Sequence, residues 1–194
     1  MAHYPAELEE HWDAAGEHLT IRAIRADDAP RLDAFFHRLT PEDIRLRFFA
    51  AVRELTPAQL ARLTRLDYER DMAFIALRET TNEAMGVARL AREAAEGAAE
   101  FAVIVRPDVK GKGLGTHLMC RLLDWARRHG VREIRGEILT ENTNMLVFTR
   151  NLGFTLRHLP ADPAIVEARL VLSRSDDVEY PEQDQNRNRD TEQP

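Results

Sequence analysis

The chain has 194 residues, a hydrophobic fraction of 44%, a charged fraction of 31% and a formal net charge of −6. That length suits one domain with tails, and its core is large enough to stand without metal or disulfide staples. The single cysteine excludes an internal disulfide framework. No apolar run reaches membrane-spanning length, and the acidic, weakly apolar start is unlike a signal peptide, so the expectation is a cytoplasmic protein with no membrane partner.

Residues 1–18 read as an N-terminal extension, with Glu7, Glu9, Glu10 and Glu17 on a solvated face. The domain proper is expected over residues 19–172. Leu19–Ile24 alternates with period two and reads as a strand. Asp27 or Asp28 is the N-cap expected for a helix that follows; Thr40-Pro41 and Thr56-Pro57 open two more, proline suiting the first helical position. The period then changes to that of a strand. Residues 71–79 and 84–93 form a hairpin across Thr80–Glu83, and Ala99–Pro107 is a further strand.

A long amphipathic helix follows and stops at Gly130, a C-terminal cap. Cys120, set among Leu118, Met119, Leu122 and Leu123, is expected to be a packed core thiol. A strand over residues 131–140, a short helix stopping at Gly153 and a final strand pair complete the order. The implied class is α/β (α+β): a mixed, mostly antiparallel sheet of about seven strands flanked by helices. Residues 173–194 carry seven acidic and three basic residues and read as an acidic, disordered tail. The remainder is near neutral, which argues against nucleic acid as a partner. The histidines show no ligand spacing, so no metal site is expected, and Trp12 and Trp125 read as packing residues.

The chemistry concentrates between Val103 and Arg128. A strand runs into "KGKGLG" and then into a helix N-terminus. Such a turn points several backbone N–H groups outward and adds the helix dipole, which is how phosphates are held. Gly111, Gly113 and Gly115 permit close approach, and Lys110 and Lys112 supply charge. A dinucleotide fingerprint would need glycine at Thr116 or Leu118, and a P-loop would need Ser or Thr where Gly113 stands. Neither fits, and the glycine spacing taken alone leaves open a plain strand-to-helix turn with solvated lysines.

Lys110-Gly111-Lys112-Gly113-Leu114-Gly115 resembles the pyrophosphate loop of the GCN5-related N-acetyltransferases (GNAT), Arg/Gln-x-x-Gly-x-Gly/Ala at a strand end, with lysine at the first position. Asn142, eleven residues before Gly153-Phe154, matches that family's second signature. The segments Leu46–Phe49, Leu66–Leu77 and Ala99–Gly115 further resemble the catalytic domain of bacterial protein lysine acetyltransferases, which modify acyl-CoA synthetases. Those enzymes often carry a large regulatory domain, for which this chain leaves no room.

The resemblance implies a splayed central strand pair and acetyl-CoA as cosubstrate, held by the amides from Val109 to Gly115 with Thr116. The pantetheine arm would pair with Val103, Ile104 and Val105, and one N–H near Val103 or Ile104 would polarise the thioester carbonyl. It implies Glu100 as general base, with Glu137 in reserve. Period-two alternation independently places Glu100 on an otherwise apolar face with Ala102 and Ile104. Asn142 either contacts the cofactor or caps the helix. Thr149 stands where many members place a tyrosine that protonates the leaving thiolate, so that proton would come from water or not at all. Tyr68 and Arg47 either line the acceptor site or, for Tyr68, pack between helix and sheet.

The implied reaction is direct acetyl transfer to a primary amine, a protein lysine before a small amine such as a polyamine or aminoglycoside. A non-catalytic acetyl-CoA sensor is the rival from another class. Monomer and homodimer are both open.

Overall fold

A computed structural model describes residues 3–93 and 97–172; the tail expected beyond Leu172 lies outside them. Eight strands form one sheet in the order β1-β2-β3-β4-β5-β6-β8-β7. They are β1 Glu10–Ala14, β2 Glu17–Ala23, β3 Met72–Arg78, β4 Ala84–Arg92, β5 Ala98–Val105, β6 Glu133–Leu139, β7 Thr155–Leu159 and β8 Asp162–Val171. The helices are α1 Ala29–Phe36, α2 Pro41–Phe48, α3 Pro57–Thr64, α4 Leu114–Arg128 and α5 Thr143–Asn151. None of the described helices is long and apolar enough to cross a membrane.

The sequence reading counts about seven strands; the eighth is β1, inside the segment read as an extension. It pairs antiparallel with β2 from Glu10↔Ile21 to Ala14↔Glu17. Its residues, Glu-His-Trp-Asp-Ala, alternate between half-buried and exposed, with Trp12 as the one large apolar anchor. An edge strand with so little apolar content leaves almost no hydrophobic signal, and its charges blunt the free edge.

Both faces of the sheet are covered. One core gathers Leu19, Phe74, Leu90 and Phe101 under α4, and a second gathers Ile24, Ile75 and Leu77 under α1, α2 and α3. The α4 stripe Leu114, Leu118, Met119, Leu122, Trp125 and Ala126 follows helical spacing and is buried throughout. Each large side chain there contributes about 1.5–3 kcal/mol of burial. That phase turns Cys120 outward, so it is exposed, contrary to the core thiol expected from its neighbours in sequence. Arg127 and Arg128 complement the helix C-terminus, and Gly130 follows at φ +69°.

The starts of α2 and α3 are reciprocal capping boxes, Thr40 with Asp43 and Thr56 with Gln59, each followed by proline. Asp28 stands at the N-cap of α1 but makes no side-chain cap. Instead its two oxygens accept from Arg22 at 2.7 and 2.7 Å while the carboxylate is fully buried. Burial pushes its pKa up, but Arg22 and the Arg25 amide outweigh that and hold it below the usual carboxylate value.

Candidate active site

β5 and β6 are the parallel pair, so α4 must cross over between them. They pair only from Ala98↔Glu133 to Glu100↔Arg135, then diverge. On its other edge β5 pairs with β4 from Ala99↔Arg92 to Val105↔Gly86. The Arg106 N–H donates to Met85 O at 2.9 Å, and Ala98 O accepts from the Glu93 N–H at 3.0 Å. Antiparallel alternation therefore turns the main-chain groups of Ala98, Glu100, Ala102 and Ile104 toward β4, and those of Val103 and Val105 toward the opening. Of the two amides the sequence left open, Val103 faces the fork and Ile104 does not.

The opening widens into a cavity of about 910 Å³. Its walls are β5 from Glu100 to Val105, β6 at Glu137 and Ile138, the glycine turn, α2, and Asn142 with Phe148 at α5. The Phe101 ring lies against Gly136, where an added Cβ would stand 2.4 Å from Phe101 Cε1. Glycine at 136 is what lets the aromatic ring lie against the β6 backbone, on the core face, where the strands part.

The glycine turn closes one end. Gly113, the N-cap of α4, has φ +88° and a vacant Cβ direction, with Trp12 at 4.0 Å as its nearest neighbour. Gly111, Gly115 and Thr116 line the same end, an open main-chain surface at a helix N-terminus that fits a diphosphate. Leu114 belongs to the core and is buried.

The two lysines do not stand free to supply charge. Lys110 is ion-paired with Asp43 of α2, and Lys112 with Glu17 of β2 at 2.8 Å. Lys112 lies outside the cavity wall, so the turn's capacity for an anion rests on its amides and the α4 dipole.

Glu100 sits at the fork, the last residue of β5 that pairs with β6, and is exposed into the cavity. Glu137 follows Arg135 by two on the other prong, so both carboxylates share the face toward α2. Asp43 and Arg47 reach the cavity from that helix. Burial pushes the Asp43 carboxyl up, but Lys110 and Thr40 hold it below its ordinary value. Burial lowers the Arg47 pKa, partly offset by Glu100. α2 is also tied to the loop after β6, Arg45 Nη1 donating to Glu141 at 2.5 Å.

Asn142 caps α5, its side chain accepting from the Met145 N–H at 3.2 Å, while also lining the cavity. Thr149 is fully buried and donates to Met145 O at 2.9 Å, so it is committed to its own helix. Tyr68 lies away from the cavity, donating to Ile24 O at 2.9 Å beside Tyr4; its role is packing. The Asp43 contribution could not be read from sequence, because it depends on a contact spanning 67 positions.

A splayed parallel pair beside a glycine turn is the arrangement the sequence resemblance implies, and the family model for the acetyltransferase (GNAT) domain matches residues 18–155. The chain belongs to the GNAT acetyltransferase family. This GNAT chain is 36% identical to "Acetyltransferase PA5475" of Pseudomonas aeruginosa over 84% of its length and 90% of that protein's. It is 32% identical to "Acetyltransferase Pat" of Mycolicibacterium smegmatis over 55% of its length, which spans about a third (32%) of that protein. The solved GNAT domain of S. lividans PAT superposes with a TM-score of 0.81 at 26% identity, covering 88% of this chain and 100% of that one. The protein is thus an acetyl-CoA-dependent N-acetyltransferase.

Proposed function

We propose that this GNAT enzyme transfers acetyl from acetyl-CoA directly to a lysine ε-amine of a protein, with Glu100 as the general base. The observation that carries the reading is the fork: β5 pairs with β6 for three positions only, and the carboxylate of Glu100 stands where they part. A free lysine has a pKa near 10.4, so about one in 10³ is neutral at pH 7 and deprotonation costs about 4–5 kcal/mol before attack. A carboxylate beside the amine, directly or through one water, reduces that cost.

The donor fits the other features. The amides of residues 111–116 would hold the diphosphate at the α4 N-terminus; those of Val109 and Lys110, also expected from the sequence, already donate to Arg106 O and Pro107 O. The pantetheine arm would lie along the open edge of β5 and take the main-chain groups of Val103 and Val105 as a further strand would. The Val103 N–H then faces the thioester oxygen, where negative charge develops during attack. Loss of CoA thiolate needs no side-chain acid; Thr149 is unavailable, and water in the open cavity supplies the proton.

The sequence resemblance to bacterial protein lysine acetyltransferases and a cavity beneath α2 with room for a side chain presented on a loop support a protein acceptor. Incubation with acetyl-CoA and a panel of proteins, acyl-CoA synthetases among them, and free amines, read by mass spectrometry, tests the proposal. Acetyl-lysine on a protein is the expected product. Labelling of free amines alone would move the assignment to a small-molecule enzyme, and binding without any transfer would make the domain a sensor.

A further inference from the structure

α2 presents one row to the cavity, Asp43, Leu46 and Arg47, at the i, i+3, i+4 spacing of a helix face. Asp43 is occupied by Lys110 and Thr40. Arg47 is not occupied. Among the described arginines that are buried or half-buried, it is the one whose guanidinium makes neither a hydrogen bond nor an ion pair. The others find acceptors, as Arg22 does in Asp28, Arg78 in Glu17, Arg89 in Leu63 O, Arg92 in His129 O and Arg106 in Asp108. Arg47 lies over the Phe48 ring, whose centroid is 5.1 Å from the guanidinium carbon, and feels the charge of Glu100 at longer range.

A half-buried guanidinium whose five donors meet no protein acceptor is left to water or to a ligand. In this position it also faces the reaction chamber, since Arg47 borders both the main cavity and a smaller apolar one of about 60 Å³ that meets it over Ala102 and Ile104. The charges lining the main cavity fall into two sets. Asp43 and Lys110 neutralise each other. Glu100 and Glu137 on the two strands and Arg47 on α2 make no direct ion pair, though Glu100 lies near enough to attract Arg47 through space. Two carboxylates and a guanidinium lining one cavity complement an ammonium group with a carboxylate a short tether away. They do not suit a polyamine, which would set a second cation against Arg47.

We propose that Arg47 is a specificity-determining residue that receives a carboxylate carried by the acceptor beside its reacting amine. The planar guanidinium matches a carboxylate through two parallel hydrogen bonds, and engaging it would hold the amine between Glu100 and the thioester. The inference rests on the amine-transfer reading above and narrows it. The same chemistry has two sources, an acidic residue next to a lysine in a polypeptide, or the α-carboxylate of a free amino acid.

The test compares kcat/KM, at saturating acetyl-CoA, for two matched pairs. One pair is a terminally blocked lysine peptide flanked by glutamates against the same peptide flanked by glutamines. The other is leucine against the amine left by its decarboxylation. The wild-type enzyme is expected to prefer the carboxylate-bearing member of one pair by roughly tenfold to a hundredfold, and the pair that discriminates identifies the source. In Arg47→Gln that ratio should fall to about one, chiefly through KM of the acidic acceptor, with Arg47→Lys intermediate.

Equal wild-type rates within both pairs would overturn the proposal without any need for the variants. So would an equal fall for both members in Arg47→Gln together with a shifted pH–rate profile, which would make Arg47 a partner of Glu100 instead. Bound acetyl-CoA with no transfer to any amine would remove the amine-transfer reading itself, and this inference with it. The two failures are therefore distinguishable.

Discussion

Along its β4 edge, β5 is hydrogen-bonded from end to end; along its β6 edge the pairing stops at Glu100. The β4 side belongs to a closed half, where β2, β3, β4 and β5 run antiparallel in unbroken order and Asp28 is locked to Arg22. The β6 side is left open. Each ladder bond is worth a net 0.5–1.5 kcal/mol, so several are forgone at the fork. The cost stays small because the unpaired groups border a cavity that water can enter and are not sealed in the core. One strand is thereby held rigidly from behind while its front remains available to a ligand.

Three substitutions would break or sharpen that contrast. The largest effect belongs to the closed half. Asp28→Ala removes one partner of a buried ion pair and should cost about 3–5 kcal/mol of stability, read as the shift in urea midpoint. The wild-type carboxyl is held below its ordinary value of 3.8, so its contribution is complete above that pH and disappears as pH falls through the lower folded value. The variant should lack that part of the acid-induced loss. An unchanged midpoint would mean that the pair is not what secures this half.

At the fork the signature is opposite. Glu100→Gln should leave the urea midpoint within about 0.5 kcal/mol while turnover falls by roughly 10²-fold, about 2.7 kcal/mol of barrier. Calorimetry should find acetyl-CoA affinity retained, and unchanged turnover would remove Glu100 from the mechanism. The smallest effect should come from Gly136→Ala, which forces the Phe101 ring to move because the new Cβ would stand 2.4 Å from it. Overpacking of this kind costs about 1–3 kcal/mol, and here it should also lower kcat by shifting one prong. Wild-type stability and rate together would show that this contact does not set the gap.

The strand, glycine turn and helix start proposed to hold the acyl donor were legible because they are local. The run from Ala98 to Thr116 carries its own alternation, glycine turn and helix start within a short stretch, and the Asn142 cap is read from the helix beside it. What was not legible depends on residues far apart. The engagement of Lys112 with Glu17 spans 95 positions, and no pattern near either residue announces it. Cys120 was misplaced because its neighbours in sequence are apolar, whereas helical phase decides which way a side chain turns. Arg47 could be singled out but not interpreted, because the role proposed for it rests on its having no hydrogen-bond acceptor, which only the structure reveals. β1 was missed because a half-polar edge strand has too little hydrophobic content to show a period.

The crossover has a consequence for how such a protein can change. Because α4 joins β5 to β6, nearly everything proposed for the acyl donor comes from one uninterrupted run, Ala98 to Phe148. The helix that bears Arg47 belongs to a separate run between β2 and β3. The two runs meet across the cavity, tied by Lys110–Asp43 and Arg45–Glu141. If the division of labour proposed above holds, exchanging the stretch from Arg25 to Arg65 between family members, with those two ties preserved, would transplant taste for an amine while leaving the thioester machinery untouched.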